Sequence, residues 1–285
     1  MSVPFADLAL ARRLERTEAT GCAQFVEGRR TLRPGSSAEW IDVAGAYAMF
    51  DGVDSPITQT FGLGVFEPGT PEVLERIERF FGDRGAPTFH EVSPLADLST
   101  MALLPALGYR PMEWSKVLYR PIDEAVDIPG ASAEVTVRQT APDEWRVWAD
   151  TATEGWSEFP EYAPMMAELS EIGARRPGAL TFVADREGRP IAAGALSITG
   201  GVALLAGAST IPGERRHGAQ LALLGTRLRL AVKQGCDVAM ITTLPGSASQ
   251  RNAERHGFRV AYTRTKWQLI TQGRGPSHRG SGGRR

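Results

Sequence analysis

GERRHGAQLALL, residues 213–224, decides how this chain is read. A β-rich run, GVALLAGAST (201–210), stops at Thr210, and Pro212 blocks its continuation by removing a backbone donor. A short basic turn follows, and then Leu221, Leu224, Leu228, Ala231 and Val232 recur on one helical face. The first N–H groups of a helix lack internal partners, and the macrodipole makes that end positive. Gly218 has no Cβ, so an anion can approach the backbone. Arg215 and Arg216 add charge-assisted donors suited to phosphate oxygens. The stretch reads either as a pyrophosphate cradle or as a solvated basic turn before an amphipathic helix, and these residues alone leave both open.

Working outward, the chain repeats itself. PALGYRPMEWSKVLYR (105–120) and AERHGFRVAYTRTKWQL (253–269) each read as a helix end, a glycine stop, an aromatic and an arginine, then a strand. Gly108 and Gly257 lie 149 positions apart, and so do Gly69 and Gly218. After Gly69 a helix shows Val73, Ile77, Phe80 and Phe81 on one face. Two features at one offset predict two related domains, 1–125 and 133–270, joined by PIDEAVDIPGASAE (121–134), with a Gly/Ser/Arg-rich tail at 271–285 that holds no apolar residue to bury and is expected to be disordered.

The second half reads as strand 134–139, helices 141–156 and 161–174, an antiparallel meander over 179–210, the opening motif and its helix, strand 237–244, helix 247–256 and strand 258–270. The first half predicts a helix over 5–20, strands over 22–32, 39–50 and 57–67, helix 71–82, strand 87–93, helix 95–107 and strand 113–120. The expected class is α/β of the α+β kind, with a mixed, mostly antiparallel sheet in two tandem domains.

In this setting RRHGAQ (215–220) resembles the Arg/Gln-x-x-Gly-x-Gly/Ala acyl-CoA signature of the GNAT-type N-acetyltransferase superfamily, with Arg215 at the first position and Gly218 at the fourth. The meander before it, the strand after the helix and ERHGF (254–258) extend the resemblance over about 135–270, and the repeat carries it more weakly into the first half, as a degenerate tandem copy. The resemblance implies acetyl-CoA wedged between two diverging strands. The backbone of Ala208, Ser209 and Thr210 would pair with the pantetheine arm. The N–H groups of Arg215, Arg216, His217, Gly218, Ala219 and Gln220 would hold the pyrophosphate, and Asn252 would contact the cofactor. It also implies an acyltransferase moving an acetyl group to a primary amine, with a small-molecule acceptor. The alternative is a non-catalytic acyl-CoA-binding or regulatory protein.

Two departures stand out. Gln220 occupies a position that calls for Gly or Ala, so its side chain must turn away from the cradle or touch the cofactor. Ala253 occupies the position where many members carry a proton-donating Tyr, so no catalytic residue is assigned. Ser247, Ser249 and Asn252 lie nearby; Ser249 is equally readable as a helix cap, Asn252 as an exposed helix residue, and Tyr262 as packing. Trp156, Glu154, Glu158 and Glu161 are candidates for an acceptor pocket, whose acidity would favour a cationic amine. In the mechanism so implied, backbone N–H groups stabilise the oxyanion and a base acts through water.

At the shifted position the first half has FEPGTP (66–71): Phe66 replaces the key Arg, Glu67 brings negative charge, and Pro68 and Pro71 each remove a donor. Thr70-Pro71-Glu72 reads as an ordinary cap, so this half is expected not to bind acetyl-CoA. His90 and Glu91 are adjacent on a strand and point to opposite faces, which disfavours a shared metal site; no metal is expected. The net charge of -1 gives no electrostatic argument for nucleic acid or an anionic membrane. Two distant cysteines, no signal-peptide pattern and no membrane-length apolar run lead to the expectation of a cytoplasmic protein, as a monomer or weak homodimer.

Overall fold

A computed structural model describes residues 5–128 and 132–270. Helix α1 (Leu8–Leu32) opens on Asp7, whose carboxylate accepts from the Leu10 N–H at 2.9 Å. It runs through the segment 22–32 that the sequence suggests as a strand. Leu10, Leu14, Ala19, Ala23 and Val26 keep helical spacing and are buried, and Gly28 lets the helix pass close to a neighbour: a Cβ there would lie 2.8 Å from Arg176 Cβ. The expected single strand 39–50 is instead a hairpin, β1 (Glu39–Val43) and β2 (Ala46–Phe50), turning at Ala44 and Gly45 with φ of 53° and 77°. The expected strand 57–67 shrinks to β3 (Gln59–Phe61), because Gly62 and Gly64 take left-handed φ of 82° and 72°. Then come α2 (Pro71–Gly82), β4 (Phe89–Val92), α3 (Leu98–Ala106) and β5 (Tyr109–Pro121).

The second half comprises β6 (Val135–Gln139), α4 (Trp145–Glu154), α5 (Ala163–Arg175), β7 (Leu180–Arg186), β8 (Arg189–Thr199), β9 (Val202–Thr210), α6 (Ala219–Lys233), β10 (Val238–Thr243), α7 (Ala248–Arg255) and β11 (Arg259–Leu269). The eleven described strands form one mixed, mostly antiparallel sheet in the order β1-β2-β3-β4-β11-β5-β10-β9-β8-β7-β6. Two seams are parallel, β3–β4 and β9–β10, one in each half. The halves exchange their last strands: β5 lies beside β10, and β11 lies beside β4. A long β5–β11 ladder joins them, which makes the sheet continuous.

Strand alternation sorts the layers. Val202, Leu204, Val238 and Met240 pack under α1 with Leu10 and Leu14, whereas Ala203, Leu205 and Ala239 pack under α6 with Leu223, Leu224 and Leu228. On the α1 face, Arg264 of β11 is buried, with 2% of its side chain exposed. Its guanidinium faces Glu15 at 3.3 Å, Glu18 at 2.9 Å and Glu91 at 3.0 Å and lies 4.8 Å from the centre of the Phe61 ring, while the Tyr262 hydroxyl donates to Glu15 at 2.8 Å. Burial raises the Glu15 and Glu91 carboxyls above their ordinary value, partly offset by Arg264. One cation thus ties α1, β4 and β11 together. No described helix is long and apolar enough to cross a membrane.

Candidate functional site

The site begins where two parallel strands part. β9 and β10 pair from Val202–Leu204 to Val238–Met240 and then diverge. Just beyond, β9 bulges: Ala195 pairs with Ala206, but Ala193 pairs with Ser209, and Gly207 takes φ of 59°. Two large side chains clamp this bulge. Trp148 lies on one side, 3.3 Å from where a Gly207 Cβ would sit, and its indole donates to the Gly194 carbonyl at 3.0 Å. Arg227 lies on the other, 3.1 Å from where a Gly194 Cβ would sit, and donates to the carbonyls of Ala195 and Ala206 at 3.1 and 3.4 Å. Arg227 is buried and pairs with no carboxylate among the described residues; desolvation lowers its pKa to about 10.

After β9, a 3₁₀ turn (Pro212–Glu214) leads into α6, which Gly218 caps. Arg216 and Gly218 take positive φ of 70° and 83°, separated by His217, so successive N–H groups converge on a concavity. The backbone N–H groups from Arg216 to Gln220 have no hydrogen-bond partner among the described residues; the first helical bond runs from Ala222 to Gly218. The side chains have other engagements. Arg215 pairs with Glu158. His217 Nε2 is 3.4 Å from Arg186, which also pairs with Glu214. The amide of Gln220 donates to the Ser209 carbonyl at 3.1 Å and to the Thr210 hydroxyl at 2.8 Å. It therefore turns away from the cradle and onto β9.

This concavity opens into a cleft of about 1180 Å³ lined by Ala208–Thr210, by residues 214–221, by α7, and by Gly155, Trp156 and Phe159 beyond α4. All ten residues that the resemblance marks for the cofactor line it, Asn252 included. Ser247, not Ser249, caps α7 by accepting from Gln250 at 3.1 Å, which leaves Ser249 on the cleft wall. Trp156 lines the cleft, and Glu158 reaches it through Arg215; Glu154 lines a separate hollow between α4 and α5, and Glu161 is exposed outside both. Ala253 is 2% exposed, packed with Phe258, and offers no proton. Tyr262 lies in the Glu15 network under α1. Sequence reasoning missed Arg251 and Arg255, which add positive charge to the cleft, and Ser132, whose Cβ is 3.1 Å from where a Gly218 Cβ would sit. The i, i+4 spacing of the two arginines on one helix was the available signal.

The equivalent corner of the first half is closed. Gly69 donates its N–H to the Thr100 hydroxyl at 2.7 Å, and a Cβ on Gly69 would meet Thr100 Cγ2 at 2.8 Å. The Asp97 N–H bonds the Gly64 carbonyl at 2.7 Å. α2 is capped by Thr70, with Pro71 at its first position. Thr100 stands 149 positions before Ser249. Thus α3 fills the space that α7 leaves open. His90 and Glu91 go to opposite faces: His90 Nε2 lies 3.0 Å from the Tyr109 hydroxyl, and Glu91 faces Arg264.

Residues 142–258 match the sequence model of the Acetyltransferase (GNAT) family. Among solved structures, a GCN5-related N-acetyltransferase from Kribbella flavida superposes with a TM-score of 0.65 at 18% identity, over 92% of this chain and 96% of that one. A GCN5-related N-acetyltransferase from Sphaerobacter thermophilus gives 0.56 at 14% identity over 93% of each chain. A tandem GNAT protein from the clavulanic acid biosynthesis pathway gives 0.57 at 12% identity, over 94% of this chain and 98% of that one. No curated protein matches the chain in sequence. At such identities the structures speak for the fold, which in the tandem case spans both halves. The chain folds as tandem acetyltransferase-like domains, and residues 142–258 of its second half are similar in sequence to the Acetyltransferase (GNAT) family.

Proposed function

We propose that the second half binds acetyl-CoA in the cleft and transfers its acetyl group to a primary amine on a small molecule. The observation that carries this reading is the run of unpartnered N–H groups from Arg216 to Gln220, facing a cleft that continues along the free edge of β9. The pyrophosphate would take those donors, with Arg215 and Arg216 beside them. The pantetheine arm would run along Ala208–Thr210, displacing the Gln220 amide from the Ser209 carbonyl, with Asn252 on the opposite wall. The thioester would then reach the bulge, where backbone N–H groups stabilise the oxyanion. The closed corner at Gly69 and Thr100 supports a first half that does not bind acetyl-CoA. The same reading takes 1–125 and 133–270 as the two domains, with no metal or nucleic acid involved, in a cytoplasmic monomer or weak homodimer; the tail at 271–285 lies outside the described residues.

A non-catalytic acyl-CoA-binding protein is the second reading, favoured by the buried Ala253 at the proton-donor position. Release of free thiol from acetyl-CoA, measured against a panel of primary amines, separates the two. Transfer requires amine-dependent release. The binding reading requires saturable acetyl-CoA binding with no release above the uncatalysed rate.

A further inference from the structure

The first half carries a carboxylate to the split in the second half. On β10, Val238 and Met240 face α1, so two residues on, Thr242 faces α1 as well. Met240 is the last residue paired with β9, at Leu204; Ala206 and Thr242 are the first α1-facing residues beyond that rung. Ala206 immediately precedes the bulge at Gly207. The Thr242 hydroxyl donates to Glu18 Oε2 at 2.9 Å, and Arg264 donates to the same oxygen at 2.9 Å. Glu18 Oε1 has no hydrogen-bond partner among the described residues, and 14% of the side chain is exposed. The cradle lies on the α6 face, so an acyl chain threaded from it through the split emerges on the α1 face at the level of Thr242 and Glu18.

We infer that Glu18, on the first half's long helix, is the proton acceptor for the amine acylated in the second half. This rests on the proposed acetyl transfer. Glu18 Oε1 takes one proton from the incoming ammonium, leaving a neutral amine. The nitrogen lone pair forms the C–N bond to the thioester carbonyl carbon. As the C–S bond breaks, the second proton leaves nitrogen for the thiolate, and Glu18 returns its proton to solvent through its exposed edge. Arg264 and Thr242 hold Oε2, leaving Oε1 to work. The charged groups that face the same network are Glu15 on α1, Glu91 on β4 and Arg264 on β11. The assignment explains why a closed first half stays fused to an open second one.

The test compares the intact wild type with Glu18→Gln, following thiol release from acetyl-CoA with putrescine, a protonated amine, and with hydroxylamine, largely neutral at the same pH. Loss of a positioned base predicts a fall of about 100-fold in kcat with putrescine, and little change with hydroxylamine or in acetyl-CoA affinity. Thr242→Val leaves the buried charges untouched and serves if Glu18→Gln melts early; it predicts a smaller fall, again confined to putrescine. Equal losses with both acceptors, or none with either, overturn the inference while leaving acetyl transfer standing. A wild type that releases no thiol with either acceptor overturns acetyl transfer and this inference together.

Discussion

Replacing Arg264 with Met should weaken the fold more than any surface change, and in a pH-dependent way. The side chain is 2% exposed and faces Glu15, Glu18 and Glu91, whose side chains are 0%, 14% and 9% exposed. Removing the cation leaves these carboxylates without their counter-ion, a change that costs about 3–5 kcal/mol at neutral pH. At roughly 2 °C per kcal/mol for a chain of this size, the melting temperature should fall by about 6–10 °C. The sign with pH follows from the carboxyls. Burial already raises Glu15 and Glu91 in the folded state, and losing Arg264 raises them further. A carboxyl raised on folding binds more protons in the native state, so stability falls as pH rises from the unfolded value through the folded one. The variant's deficit should therefore shrink as pH is lowered from 8 towards 5, with melting followed by far-ultraviolet circular dichroism. A deficit below about 1 kcal/mol, or one that grows towards acid, would refute the reasoning.

Other consequences can be measured directly. Gln220→Ala removes an amide that holds the Ser209 carbonyl and the Thr210 hydroxyl. At about 1 kcal/mol per hydrogen bond no longer displaced, acetyl-CoA should bind roughly 3- to 10-fold tighter by calorimetry; weaker binding would mean that the amide serves the cofactor. Gly69→Ala pushes a Cβ to within 2.8 Å of Thr100 Cγ2 and should cost about 1–3 kcal/mol in denaturant titrations without altering acetyl-CoA affinity. A loss of affinity there would show that the first-half corner takes part in binding.

What the sequence displayed and what it concealed divide along physical lines. Local chemistry was legible: Pro212, Gly218 and the apolar face after it place α6, and Thr70-Pro71 places the start of α2. The residues proposed for the cofactor share one cleft because they lie on the short path from β9 into α6 and on the facing α7. Where local signals mislead, packing decides. Residues 22–32 hold Cys22, Phe25 and Val26, which suit a strand, yet they continue α1, whose close approach to Arg176 is admitted by Gly28. The Ala44–Gly45 turn was missed because alanine rarely adopts left-handed φ. The strand exchange had no local signature, since β5 and β11 have similar sequence character and only the tertiary fold selects their neighbours. Glu18 was invisible for the same reason: it is 224 residues from Thr242 in the chain and 2.9 Å from it in space.

The most direct measurement is calorimetric titration of acetyl-CoA into the wild type and into Gly218→Glu. That substitution puts a carboxylate and a Cβ at a left-handed position where Ser132 is already 3.1 Å away, in the middle of the unpartnered N–H groups. One site per wild-type chain and none in the variant is the expected outcome. Two sites would contradict the closed first half, and an absence of wild-type binding would reduce residues 215–220 to a basic turn.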